Sequence, residues 1–299
     1  MRAFVTGGSG FVGLHLLAHL KACGDDVHAP LADVTNLDAL TQAISESAGG
    51  APDVIYHLAG QADVGRSWND VSLTWSVNTL GTVNLLEAAR QVAPQARIIV
   101  ISSAEVYGHV PPNELPITEE RVLQPSSPYG ASKIAAETAA RFSQARQRVI
   151  IARPFNHLGP GQAPGFILPA VAKQIATAER DATSVIRLGN LEARRDMTSV
   201  GDVVRAYRLM AEHGHDGATY NVCSDVAVSM RELVDRMLAL STVSLTVELD
   251  ETRLRPSDIA IQLGSSARLR ADTGWAPTAD LDEVLRSVLD EWREKVTGQ

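Results

Sequence analysis

Short β-branched runs alternate with longer stretches of helical period through the first half of the chain. Ala3–Thr6, Val27–Ala29, Val54–His57, Arg97–Ser102 and Val149–Ala152 read as strands, each a compact apolar run between turn residues. Phe11–Cys23, Leu37–Ser47, a long stretch around Leu73–Val92, and Tyr129–Gln144 read as helices. Strands without polar alternation, separated by helices, predict a parallel sheet buried on both faces. Right-handed crossovers then make it a doubly wound α/β sheet.

The regularity breaks after Arg153. RPFNHLGPGQAPGF holds three prolines and three glycines, which predicts an ordered loop. Helices are predicted near Leu168–Ala178, Val203–His213, Ser229–Leu240 and Leu281–Lys295, and strands near Val185–Leu188, Thr219–Val222 and Leu245–Leu249. The division is therefore a dinucleotide-binding domain over residues 1–153 and a smaller α+β substrate lobe over 154–299, some of whose segments return to the first domain.

Composition narrows the role. The net charge is −8 with no long basic run, which disfavours a nucleic-acid or anionic-membrane surface. Two cysteines, Cys23 and Cys223, support neither a disulfide framework nor a zinc cluster, and no metal site is expected. No apolar run is long enough to span a bilayer, and the expected location is the cytoplasm.

Chemistry begins at TGGSGFVG, Thr6–Gly13, which follows the first strand and opens a helix. Gly7 gives the sharp turn, Gly10 lets a pyrophosphate approach the backbone, and Gly13 lets the helix pack on the sheet. This is a Rossmann-type dinucleotide site. The second strand ends in HAPLAD, with neither the acid that reads a ribose hydroxyl nor the arginine that reads a 2′-phosphate at the usual place. NAD(H) and NADP(H) both stand. Asp33 sits late, either beside the adenine or in a helix cap with Thr35 and Asn36.

Tyr129 and Lys133, in SPYGASK, stand four apart on one helical face. An ammonium beneath a phenol lowers the tyrosine pKa from about 10 and lets it exchange a proton with a substrate oxygen. Ser103 follows an apolar strand, so its hydroxyl emerges at the carboxyl edge of the sheet. His57, His157 and Cys223 read as structural.

These residues resemble those of the extended short-chain dehydrogenase/reductases that act on nucleotide sugars. The resemblance runs through TGGSGFVG, HLAG (His57–Gly60), NTLGT (Asn78–Thr82), SSAEVYG (Ser102–Gly108) and SPYGASK. RPFNHLGPGQ, GNLEARRD, YNVCS, LRPSD and TGW in the second half look like the GDP-sugar branch. It implies reduction of the carbon-4 ketone of GDP-4-dehydro-6-deoxy-D-mannose to GDP-D-rhamnose. A 4,6-dehydratase, an epimerase or a 6-deoxytalose-forming reductase are the alternatives. It places Phe11, Val12, Leu58, Ala59, Gly60 and Asn78 along the coenzyme with the glycines. Ser103 would polarise the ketone, Tyr129 protonate the alkoxide, and Lys133 hold the nicotinamide ribose. Asn156, Arg195 and Arg255 would meet the diphosphate. Many nucleotide-sugar dehydratases carry Asp-Glu after the catalytic serine or threonine. Here Ala104-Glu105 stands there, which favours reduction. The family also implies a homodimer through the helices after Leu73 and Tyr129, the second bearing a small-residue face of Ala131, Ala135, Ala136, Ala139 and Ala140.

Overall fold

The structure is a computed structural model that describes residues 1–47, 49–250 and 259–298. The first half runs β1 (Arg2–Thr6), α1 (Phe11–Ala22), β2 (Asp26–His28), α2 (Leu37–Ser45), β3 (Val54–His57), α3 (Val64–Asn69), α4 (Val71–Trp75), α5 (Gly81–Val92), β4 (Arg97–Ile101), α6 (Pro128–Ser143) and β5 (Arg148–Pro154). The second half runs β6 (Asn156–Leu158), α7 (Ile167–Asp181), β7 (Val185–Leu188), β8 (Arg194–Ser199), α8 (Val200–His213), β9 (Thr219–Val222), β10 (Ala227–Ser229), α9 (Met230–Leu238), β11 (Thr246–Leu249), β12 (Ile261–Gln262), α10 (Ala267–Thr273) and α11 (Leu281–Thr297).

The principal sheet is a six-stranded parallel Rossmann-type sheet in the order β2-β1-β3-β4-β5-β9. Its apolar strands feed both faces. Phe4, Ile55, Ile98 and Val149 pack under α2 and α5, while Val5, Tyr56, Ile99 and Tyr220 pack under α1 and α8 with Trp275. The strand order reverses between β1 and β3, which opens a ligand crevice at their carboxyl ends. β9 and α8 come from beyond residue 153, so the second half closes the first domain's sheet.

The rest of the second half is built on a smaller sheet in which β8 pairs with β6, β10 and β12. A second apolar core, with Leu168, Ile175, Leu233, Leu285 and Trp292, joins α7, α9 and α11.

Three features depart from the sequence reading. The stretch around Leu73–Val92 is helical throughout, but a π turn spans Ser76–Leu80 between α4 and α5, and Asp63 and Asp70 start α3 and α4 ahead of it by accepting from the Arg66 and Leu73 amides. The loop after Arg153 contains β6, held by parallel pairing to β8. β8 itself, RRDMTS, and α10, ARLRADT, lack the apolar periodicity that would announce them.

One buried ion pair fixes α6 to the sheet. Arg153, at the end of β5, donates from Nε and Nη2 to the two oxygens of Glu137 at 2.8 and 2.6 Å, with both side chains about 1% exposed. Ser102 donates to the same carboxylate at 2.6 Å, and Arg153 also donates to the Tyr107 hydroxyl at 2.9 Å. A Glu137→Ala substitution strands a buried guanidinium. It is expected to cost about 3–5 kcal/mol, measured as a fall in chemical-denaturation stability. Glu137→Ala combined with Arg153→Met is expected to recover part of that loss.

Candidate active site

The switch-point crevice has the shape a dinucleotide needs. A Cβ at Gly7, which has a φ of +70°, would meet the Ala59 amide nitrogen at 2.6 Å, so the turns after β1 and β3 touch there. A Cβ at Gly13 would stand 2.2 Å from the Gly7 carbonyl, which is why α1 can pack so close. At Gly10 a Cβ would meet only that carbonyl, at 3.3 Å, leaving the approach to the backbone open. Gly10 is the N-cap of α1, and no side chain caps the amides that follow at Phe11, Val12 and Gly13. The first turn also carries no acid, so these amides are available to a phosphate.

The other predicted coenzyme residues gather at the same edge. The Leu58 amide donates to the Thr6 carbonyl and the Ala59 amide to Thr6 Oγ1. Asn78, in the π turn, accepts from the Gln61 amide at 2.8 Å. A Cβ at Gly60 would lie 3.0 Å from Asn78 Oδ1 and 3.4 Å from Lys133 Nζ. Asp33 is exposed and accepts from the Thr35 amide and hydroxyl at 2.9 and 2.8 Å, which holds its carboxyl below the usual range. The N-cap of α2 is Asn36, not Asp33.

Tyr129 and Lys133 are both buried on the face of α6 that meets the sheet edge. Ser127 caps α6 by accepting from the Gly130 amide, Pro128 takes the first helical position, and the Tyr129 amide donates to Ser67 Oγ at 3.2 Å. Gly130 is needed because a Cβ there would sit 2.7 Å from the Glu105 carbonyl. Ser103 caps a 3-10 turn, Ala104–Tyr107, by accepting from the Glu105 amide at 3.2 Å. Ser103 acts on the Tyr129 phenol as a hydrogen-bond partner, so the serine, the tyrosine and the lysine converge.

The electrostatics correct one expectation. The phenol of Tyr129 is pushed up to about 12, by burial first and by the Glu105 charge second, against the Ser103 hydrogen bond. Lys133 is not among the groups that shift the phenol. Its ammonium donates to the Ile101 carbonyl at 2.8 Å and stands 6.0 Å from the tyrosine ring centre. Burial lowers Lys133 to about 8, with Glu137 opposing. The result is a protonated acid beside a lysine poised near neutrality.

A cavity of about 520 Å³ lies on the lobe side of this site. Asn156 and Arg195 line it, together with His157, Phe166, Met197 and Met230, which the sequence reading did not assign to the site. Asn156 donates to Gln262 Oε1 at 2.6 Å, and Arg195 donates to the Ile259 carbonyl at 2.6 Å. Arg255 lies outside the described residues. His157 stacks on Phe11 with ring centres 6.0 Å apart, so the cavity wall abuts the start of α1. Signals for the missed wall were faint, since Phe166 lies in a loop, and His157 and Met197 lie on short strands that no apolar period announces. Asp196, Cys223 and Asp225 cluster nearby. The oxygens of Asp196 accept from the Ser224, Asp225 and Gly264 amides, which makes it a loop clasp.

A Rossmann crevice facing a serine, tyrosine and lysine defines a nicotinamide-dependent oxidoreductase. Residues 29–288 match the family described as GDP-mannose 4,6 dehydratase. The chain is 38% identical to the GDP-6-deoxy-D-mannose reductase of Pseudomonas aeruginosa, over 99% of this chain and 98% of that one. It superposes on the structure of RMD from Pseudomonas aeruginosa complexed with NADPH at a TM-score of 0.91, with 36% identity, covering 98% and 99% of the two chains. The Thermus thermophilus UDP-glucose 4-epimerase in complex with NAD superposes at a TM-score of 0.86 with 28% identity, covering 98% and 99%. This protein belongs to the GDP-mannose 4,6-dehydratase family of extended short-chain dehydrogenases that act on nucleotide sugars.

Lys133 titrates near pH 8 with its cation favoured below that value. If the ammonium holds the coenzyme, kcat/KM for the reduced coenzyme is expected to be level below about pH 8 and to fall above it. A profile that stays level to about pH 10, where an ordinary lysine titrates, removes Lys133 from that role.

Proposed function

We propose that this protein reduces the carbon-4 ketone of GDP-4-dehydro-6-deoxy-D-mannose to GDP-D-rhamnose. The observation that carries this reading is the Tyr129 phenol hydrogen-bonded with the Ser103 hydroxyl at the mouth of the crevice, in a chain 38% identical over nearly its whole length to a GDP-6-deoxy-D-mannose reductase. Reduction needs an acid that gives its proton to a developing alkoxide, a stronger base than phenolate. A phenol buried against Glu105 keeps that proton until the alkoxide forms. Ser103 would polarise the ketone, and Lys133 would orient the nicotinamide ribose. A bound reduced nicotinamide supplies the hydride.

Ala104 supports reduction over dehydration. It is buried directly after Ser103 and offers no acid for expelling a carbon-6 hydroxyl. Asn156 and Arg195 line the cavity where the diphosphate would lie. The substrate and product follow the activity carried by the Pseudomonas reductase's name.

The working form is a homodimer. Phe142, 79% exposed, lies with Val83, Leu80 and Trp75 on the outer side of α4–α6, and Ala131, Ala135 and Ala139 remain only partly covered there. Ala136 and Ala140 instead face the chain's own sheet. Among the described residues no helix is long and apolar enough to cross a membrane. Cytoplasmic residence suits a nucleotide-sugar enzyme with two unbridged cysteines.

Incubation with NADPH or NADH and GDP-4-dehydro-6-deoxy-D-mannose is expected to consume the coenzyme and yield GDP-D-rhamnose by NMR. Tyr129→Phe should bind coenzyme normally and lose at least about a hundredfold in kcat. Consumption of GDP-mannose alone would instead establish a dehydratase, and undiminished Tyr129→Phe turnover would reject the acid. By light scattering, the mass should be twice 32.0 kDa, and Phe142→Glu should move it toward the monomer. A monomeric wild type rejects the dimer.

A further inference from the structure

Behind the coenzyme crevice lies an unbroken run of buried polar side chains. Thr6, His57, Thr82, Asn78 and Ser132 are all nearly sealed from solvent. The Ala59 amide donates to Thr6 Oγ1 at 3.2 Å, and Thr6 Oγ1 lies 2.8 Å from His57 Nδ1. On the other side of the ring, His57 Nε2 lies 3.1 Å from Thr82 Oγ1, which donates to the Asn78 carbonyl at 2.7 Å. The Asn78 side-chain amide donates to the Gln61 carbonyl at 3.1 Å and to Ser132 Oγ at 3.0 Å, and Ser132 donates to the Tyr129 carbonyl at 2.7 Å. The run therefore joins the turn after β3 to the first turns of the helix that bears Tyr129 and Lys133.

Counting protons gives the run a direction. A hydroxyl has one proton, and Thr82 uses its proton on the Asn78 carbonyl. It can then only accept from His57, which puts the imidazole hydrogen on Nε2. Nδ1 becomes an acceptor for the Thr6 proton, and the Thr6 oxygen remains free for the Ala59 amide. The opposite tautomer would aim two N–H groups at Thr6 and make Nε2 and the Asn78 carbonyl compete for the one Thr82 proton. The imidazolium is disfavoured as well, since burial and then the Lys133 charge lower the ring to about 3.

We propose that His57, held as its neutral Nε2–H tautomer, is a positioning residue that sets the spacing between the Leu58–Gln61 turn and the catalytic helix. That spacing has little slack. A Cβ at Gly60 would stand 3.0 Å from Asn78 Oδ1 and 3.4 Å from Lys133 Nζ. A turn that drifts by a few tenths of an ångström changes where a coenzyme rests relative to Lys133. The inference rests on the nicotinamide site described above and deepens it, by giving a buried histidine a task at that site.

Thr82→Val keeps the side-chain shape and removes the hydroxyl, so His57 Nε2–H and the Asn78 carbonyl both lose a partner. Coenzyme fluorescence, read without sugar nucleotide, is expected to show NADPH binding weakened about tenfold. The same variant should lower kcat while leaving KM for the sugar nucleotide unchanged. Thr82→Ser, which returns the hydroxyl, should recover the affinity. A folded Thr82→Val protein that binds NADPH within about twofold of wild type overturns the proposal. A Thr82→Ser protein as weak as Thr82→Val also overturns it, because the loss would then belong to packing. If Thr82→Val does not fold, Thr6→Val cuts the run at its other end and is judged by the same affinity. Failure here leaves ketone reduction standing, and a wild type inert toward 4-keto sugars leaves the coenzyme affinities to be judged independently.

Discussion

The carboxylate of Glu137 is the point on which the site's geometry depends. Tyr129, Lys133 and Glu137 follow one another at four-residue intervals, so they form one stripe along α6. The last of them is clamped bidentately by Arg153 from β5 and bonded by Ser102 from the end of β4. Ser103 is the next residue. Tyr129 and Ser103 are therefore referenced to a single buried anion, from two different elements. A buried ion pair adds little net stability over a well-packed apolar pair, because desolvation takes back most of the Coulombic gain. Its gain is directional. Two N–H donors on two carboxylate oxygens allow one rotation of α6 and one height above the sheet.

The same pair reaches the strand that the second half adds to the main sheet. Arg153 donates to the Tyr107 hydroxyl, which donates to Asn221 Oδ1 at 2.6 Å on β9, the strand that enters the main sheet from beyond residue 153. Asn221 in turn donates its backbone amide to Glu119 Oε1 and its side-chain amide to the Ile117 carbonyl. The loop that carries Ser103 and Glu105 is thus anchored by β9 as well as by β5, two neighbouring strands of the main sheet. Trp275, fully buried in the core under α8, donates to the Asp202 carbonyl and fixes the second half from the opposite face.

How much of this was legible in the sequence follows from what each feature depends on. Val54–His57, Val185–Leu188 and Thr219–Val222 were readable to the residue, because a short apolar run between turn signals has few other folded states. The glycines were readable for the same local reason, since a Cβ at Gly7 or Gly13 would collide with backbone. β8 was not readable. Its charged RRDMTS pattern becomes a strand only through pairing with β6, β10 and β12, all distant in the chain or irregular. The π turn at Ser76–Leu80 was hidden likewise, because the contacts its Asn78 makes, with Gln61 and Ser132, are distant in the chain. The acidity of Tyr129 was not readable either, because spacing shows that a lysine is near but not that its ammonium turns to the Ile101 carbonyl.

That last correction bears on the state in which the phenol waits. A phenol held at about 12, by burial and by a neighbouring carboxylate, is protonated at neutral pH and has its proton in place for a more basic alkoxide. Glu105 is therefore compatible with reduction in a way composition alone could not reveal. As a second base it would serve a dehydratase, but beside a buried tyrosine its charge keeps the acid protonated. Ala104, buried directly after Ser103, adds no second acid beside Glu105.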